Sequence, residues 1–135
     1  MKKLQVEVDY SDKNYFAGTG EIGGVVMATH KTLEGLKDEF ASALQFHIEG
    51  CVADGDELPE WATSGDYEIE FILSVQALLH HFNGVLTREA LSRVTGINAR
   101  QLGHYMSGYR QPREDKRLKI IEGIHQIGKE LSSVV

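Results

Sequence analysis

The sequence has one cysteine, two prolines, one tryptophan and, across its first 82 residues, no arginine. A single thiol, Cys51, can close no internal disulfide, so a reducing compartment, most simply the cytoplasm, is expected. Cys51 falls late in an amphipathic helical pattern and is expected to be a buried structural thiol. No apolar run approaches the roughly 20 residues of a membrane span, and no membrane association is expected. Met1-Lys2-Lys3 leads straight into an alternating stretch instead of the continuous apolar core of a signal peptide.

Signatures of chemistry are equally scarce. Gly18, Gly20, Gly23 and Gly24 cluster, but without the Gly-Lys-Ser/Thr ending of a phosphate loop or the spacing of a dinucleotide fingerprint. They read as a loop or bulge between strands. No cysteine–histidine zinc spacing and no nucleophile elbow occurs. His80 and His81 are adjacent, and adjacent residues on a helix point in different directions. Glu7, Asp9, Glu68 and Glu70 lie on the polar faces of alternating stretches, whereas a metal cluster needs three or four carboxylates to converge. The expectation is a protein that is not an enzyme and has no cofactor and no metal.

What is present is unevenly distributed. Residues 1–82 hold 5 Lys and 15 Asp or Glu, a net charge of −10. Residues 83–135 hold 9 Lys or Arg against 5 Asp or Glu, a net of +4, and all six arginines. The overall charge of −6 therefore conceals an acidic part that repels phosphate and an arginine-bearing part that attracts it.

Lys2–Tyr10 alternates, with Leu4, Val6, Val8 and Tyr10 on one face, and predicts a half-buried strand. Residues 11–14 predict a hairpin turn, Tyr15–Thr19 a second strand and Val25–His30 a third. Thr32 opens a helix to about Cys51, with Leu33, Leu36, Phe40, Leu44, Ile48 and Cys51 as its apolar stripe. Ala53–Gly65 reads as an acidic loop carrying Trp61, as a cap on the core or an interface anchor. Asp66–Leu73 alternates again and predicts a fourth strand. After Leu73 the period changes. Val75–Phe82 predicts a short helix with Val75, Leu78, Leu79 and Phe82 inward. Asp115–Ser132 predicts a long one with Leu118, Ile121, Ile124, Ile127 and Leu131 on one side. The fold class expected is α+β, a small β-β-β-α-β sheet domain over residues 1–73 followed by an all-α helix-turn-helix domain over residues 74–135.

Leu86–Pro112 is the most informative stretch. Thr87 is placed to cap a helix whose apolar face is Ala90, Leu91 and Val94. Gly96 allows a left-handed exit, and Asn98 caps a second helix carrying Leu102, Tyr105 and Met106 inward. Gly108 ends it, and Arg110 and Arg113 follow in a loop. This is the pattern of a helix-turn-helix whose second helix enters the DNA major groove. On that helix Asn98, Arg100, Gln101 and His104 offer groups for phosphates and base edges, and Gly103 on the same side permits close approach. Arg110 and Arg113 would anchor it to phosphates.

This stretch resembles the helix-turn-helix of the phage-repressor (Xre-like) family, with Leu91, Ser92, Gly96, Ile97, Leu102 and Tyr105 in its structural slots. The resemblance implies that Asn98 caps the recognition helix and touches phosphate. It also implies that Ala99, Arg100, Gln101 and His104 face bases. The whole chain is similar to the HicB antitoxins. The segments that carry this are the N-terminal strands, TLEGLKDEFASALQFHIEG (Thr32–Gly50), DGDELPEWATSGDYEIEF (Asp54–Phe71) and TGINARQLGHYMSGYRQPR (Thr95–Arg113). Many members carry Pro-Gly-Cys where this chain has Ile22-Gly23-Gly24-Val25. The resemblance implies a partial ribonuclease-H-like domain, residues 1–73, that binds and blocks a small basic mRNA-cleaving toxin of the HicA kind. It implies that residues 74–135 bind operator DNA of the pair's own operon. A −10 domain suits a basic toxin by charge. A homodimer or higher oligomer is expected, with Ile124, Ile127 and Leu131 of the terminal helix as its seam. The alternatives are a stand-alone transcription regulator whose N-domain senses a ligand, and a nuclease using the N-terminal sheet.

Overall fold

The computed structural model describes every residue from Met1 to Val135 and divides into two units, Met1–Ser74 and Val75–Val135. The fold is α+β, with one mixed sheet of four strands and six helices.

In the first unit, β1 (Lys2–Ser11) and β2 (Asn14–Thr19) form a hairpin, and β3 (Val26–His30) pairs antiparallel with β2. The turn has two residues, Asp12 at φ 52° and Lys13 at φ 67°. Two left-handed residues match the right-handed twist of the flanking strands, which is why a turn this short works. The alternation in β1 is physical: Leu4, Val6 and Val8 are buried while Lys3, Gln5 and Glu7 are exposed. Burial pushes the Tyr15 phenol up from its ordinary value of 10.0, with Tyr10 beside it adding to the shift.

The chain then crosses the sheet through α1 (Leu33–Ala53). The Thr32 hydroxyl accepts from the Gly35 amide at 3.0 Å, satisfying an amide that has no partner inside the helix. Leu33, Leu36, Phe40, Leu44 and Ile48 are buried, and the Phe40 ring meets Phe71 edge-on at 5.9 Å. Cys51 departs from expectation, being half-buried with its Sγ 3.6 Å from His47 Nε2. Ile48 is the last buried residue of α1, so the buried stripe ends one turn before the thiol.

The segment expected to be only a loop contains a short helix, α2 (Glu60–Ser64). It follows Pro59 and ends at Gly65, φ 75°. Its one buried residue is Ala62, too little for a visible period amid acidic neighbours. Trp61 packs edge-on to Tyr67 at 5.6 Å, with Lys2 Nζ 5.7 Å from its ring centre. Finally β4 (Tyr67–Leu73) joins parallel to β1, giving the order β3-β2-β1-β4. Its expected alternation does not appear as burial: Tyr67 and all of residues 69–73 are half-buried in this edge strand.

The second unit consists of α3 (Val75–His81), α4 (Arg88–Thr95), α5 (Ala99–Ser107) and α6 (Glu114–Ser132). Val75, Leu79, Leu91, Ile97, Leu102, Tyr105, Ile120 and Ile127 form its core, with Leu86, Val94, Met106 and Ile124 packed against it. Two expectations are corrected. In α3 the fully buried residues are Val75, Ala77 and Leu79, while Leu78 and Phe82 are half-buried. In α6 the buried face is Ile120, Gly123 and Ile127, and Leu118 and Leu131 are exposed. A stripe taken at every third residue drifts about 60° per step around a 3.6-residue helix, so it cannot stay on one face. At Gly123 the helices close up: a Cβ there would lie 2.7 Å from Thr95 Cγ2.

Candidate nucleic-acid interface

The site is built from the end of α4, the turn after it and α5. Thr87 caps α4 by accepting from the Ala90 amide at 3.0 Å. The chain leaves α4 at Gly96, φ 76°, a left-handed position at which glycine carries no Cβ penalty. Ile97 drops into the core and Asn98 restarts the helix, its Oδ1 accepting from the Gln101 amide at 2.8 Å. Leu102 and Tyr105 then bury one side of α5, which decides what the other side presents.

That other side carries Asn98 and Arg100, both exposed, with Ala99, Gly103 and His104 half-buried. Gln101 is less free than its sequence position suggests. Its Nε2 donates to the Tyr105 hydroxyl at 2.9 Å, leaving its second N–H and its amide oxygen uncommitted. His104 is likewise constrained. Its Nδ1 is buried without a hydrogen-bond partner, and its ring packs 4.9 Å from that of Tyr109.

Two contributors were missed by the sequence pattern. Arg88, from the first turn of α4, lays its guanidinium against Gly103, where a Cβ would collide with Nη1. Gly103 is therefore a seat for an arginine from the neighbouring helix. Tyr109, 71% exposed, stands between His104 and Arg110, whose Cζ is 5.9 Å from its ring centre. An exposed aromatic beside an arginine was the available signal. The Arg110 amide donates to the His104 carbonyl at 3.2 Å, which fixes the loop against the end of α5. Arg113 is exposed at the start of α6, and a surface hollow lies between Gln101, Tyr105, Arg110, Arg113 and Lys116. Arg117 pairs with Glu114 at 3.5 Å, whereas Arg88, Arg93, Arg100, Arg110 and Arg113 have no carboxylate within ion-pair distance. Five unpaired guanidiniums in one small unit are the chemistry of anion recognition.

The histidine pair is divided in role. His80 Nε2 donates to the Met106 carbonyl at 2.8 Å, tying α3 to the last turn of α5, and His81 lies against Phe82. No group of three His, Cys, Asp or Glu side chains converges anywhere in the chain, and no helix is long and apolar enough to cross a membrane.

Removing the Asn98 cap isolates its structural share. Asn98→Ala is expected to destabilise the second unit by about 1 kcal/mol, read as a lower midpoint in urea denaturation. Asn98→Ser, which keeps an accepting oxygen, should recover most of the loss.

No family model, curated protein or solved structure matches this chain significantly.

Proposed function

We propose that residues 74–135 form a helix-turn-helix that binds operator DNA and that residues 1–73 bind and neutralise a small basic toxin. On this reading the protein is an antitoxin of the HicB kind that represses its own operon. The observation that carries the DNA half is α5 itself: a helix with one buried side, a capped N-terminus and Arg100 exposed, flanked by unpaired Arg88, Arg110 and Arg113. Arg100 and His104 are the base-reading pair, and Asn98, Arg110 and Arg113 set position on the phosphates. On this reading Ala99 meets a base methyl, and Gln101 contributes through its amide oxygen and remaining N–H. Arg88 joins the phosphate contacts.

The toxin half rests on the resemblance of the N-terminal segments and on the net charge of −10 in residues 1–82. A mixed sheet with β4 parallel to β1 and a crossover through α1 is compatible with the partial ribonuclease-H-like domain that the resemblance implies. The protein acts as a homodimer, since two half-sites raise both affinity and specificity; its seam is Ile124 and exposed Leu131 of α6 without the expected Ile127, which is buried in the unit's own core.

The experiment is a salt titration with the full-length chain and a duplex from upstream of its own gene, against a scrambled duplex. Binding should be tighter to the first. Arg110→Ala should lower the slope of log K against log salt by about one per protomer while weakening both duplexes alike. Equal affinity for the two duplexes removes the operator reading. The toxin half is tested by co-expression with a small basic protein encoded beside this gene. Failure both to restore growth and to co-purify removes the antitoxin reading.

A further inference from the structure

The sheet of the first unit has two faces with different fates. Helix α1 and the side chains of Leu4, Val6, Val8, Tyr15, Ala17 and Val26 close one of them. The strand register places Phe16, Gly18 and Met27 together on the other, with Gly18 opposite Met27 and Phe16 two residues along β2, opposite Thr29. Met27 is 67% exposed and Phe16 39%. Met27 leans over Gly18, where a Cβ would meet its Cγ at 3.6 Å, so two strands present one flat apolar patch. The neighbouring strands rim it with carboxylates: Glu7 stands opposite Gly18 on β1, and Glu70 opposite Gln5 on β4. Lys3, opposite Glu68, is the one cation among the strand residues of this face. Asp9 is already engaged, accepting from the Ser74 hydroxyl at 2.7 Å.

We infer that this open face, centred on Phe16 and Met27 and rimmed by Glu7 and Glu70, is the docking surface for a basic protein. The inference deepens the toxin half of the proposed function and rests on it. An apolar centre within a charged rim is the anatomy of a protein–protein interface. Charge selects the occupant. A unit with 5 Lys and 15 Asp or Glu repels nucleic acid, an anionic bilayer and a second copy of itself, and attracts a partner rich in Lys and Arg. Methionine suits such a face, because its flexible thioether adapts to a partner's contour.

The test uses the full-length chain in its own host, with the photo-crosslinking residue p-benzoylphenylalanine replacing Phe16, Met27 or Phe46 one at a time. Phe46 is the control, 79% exposed on the outer side of α1. Positions 16 and 27 should trap the same small protein with an excess of Lys and Arg, identified by mass spectrometry, and position 46 should not. That protein, purified, should bind the full-length chain, and Glu7→Lys combined with Glu70→Lys should weaken binding by roughly tenfold or more at low salt. Far-UV circular dichroism checks that the double variant is folded. Trapping of the basic protein at position 46 alone, or equally at all three, overturns the surface but leaves the partner reading standing. So does an unchanged affinity of the folded double variant. Trapping of a second copy, an acidic protein or nucleic acid at positions 16 and 27 also overturns the surface. No basic protein trapped at any position removes the partner reading, and the surface with it.

Discussion

Arg100→Ala is expected to cost about 1–3 kcal/mol in binding to the preferred duplex and to flatten the preference among duplex sequences. Arg100 is exposed in the first turn of α5, two residues after the Asn98 cap, and has no carboxylate partner to release. Its guanidinium fork matches the two acceptors on the major-groove edge of guanine, and a bidentate contact is lost whole when the side chain is truncated. The comparison with Arg110→Ala separates the roles. A phosphate contact weakens all sequences alike and appears in the salt slope, whereas a base contact appears in the spread between sequences. The measurement is fluorescence anisotropy against a panel of single-base variants of the duplex, at two salt concentrations. If both variants lose affinity uniformly, with no change in sequence preference, α5 does not read bases through Arg100.

Phe40→Ala is expected to destabilise the first unit by about 3–5 kcal/mol. Phe40 is fully buried at the centre of the α1 stripe, and its edge-on contact with Phe71 adds to what its area contributes. A unit the size of Met1–Ser74 has roughly 4–11 kcal/mol in total at the usual stability per residue. The substitution therefore removes much of the margin. Phe46→Ala is the matched control: the same chemical change on the same helix, 79% exposed, with an expected effect within about 0.5 kcal/mol. Urea denaturation followed by far-UV circular dichroism reads both. Comparable losses in the two variants would contradict the orientation of α1 on the sheet.

Unpaired arginines on α5 and its flanks carry the DNA reading, and an uncovered acidic sheet face carries the partner reading. Both surfaces are left over once burial has been satisfied. In α5, Leu102 and Tyr105 go inward and Arg100 is what remains. In β1, Leu4, Val6 and Val8 go inward and Glu7 is what remains. Patterning for the core thus turns these side chains outward without any separate device.

The sequence by itself determined the features whose causes are local. The caps at Thr32, Thr87 and Asn98 each join a side-chain oxygen to an amide three residues on, so the signal lies within one helical turn. Gly96 and Gly108 mark left-handed exits because only the backbone at that residue is involved. The alternation of Leu4, Val6 and Val8 is a property of a single strand. Tertiary structure alone decided the rest. The order β3-β2-β1-β4 depends on a crossover that no periodicity records. Arg88 reaches Gly103, and His80 reaches the Met106 carbonyl across 26 residues, because separate helices pack together. The buried face of α6 is Ile120–Gly123–Ile127 because α4 closes on Gly123, although exposed Leu118 and Leu131 are as apolar as the residues buried. A side chain's hydrophobicity shows that it favours burial, but a packed neighbour decides whether that burial occurs.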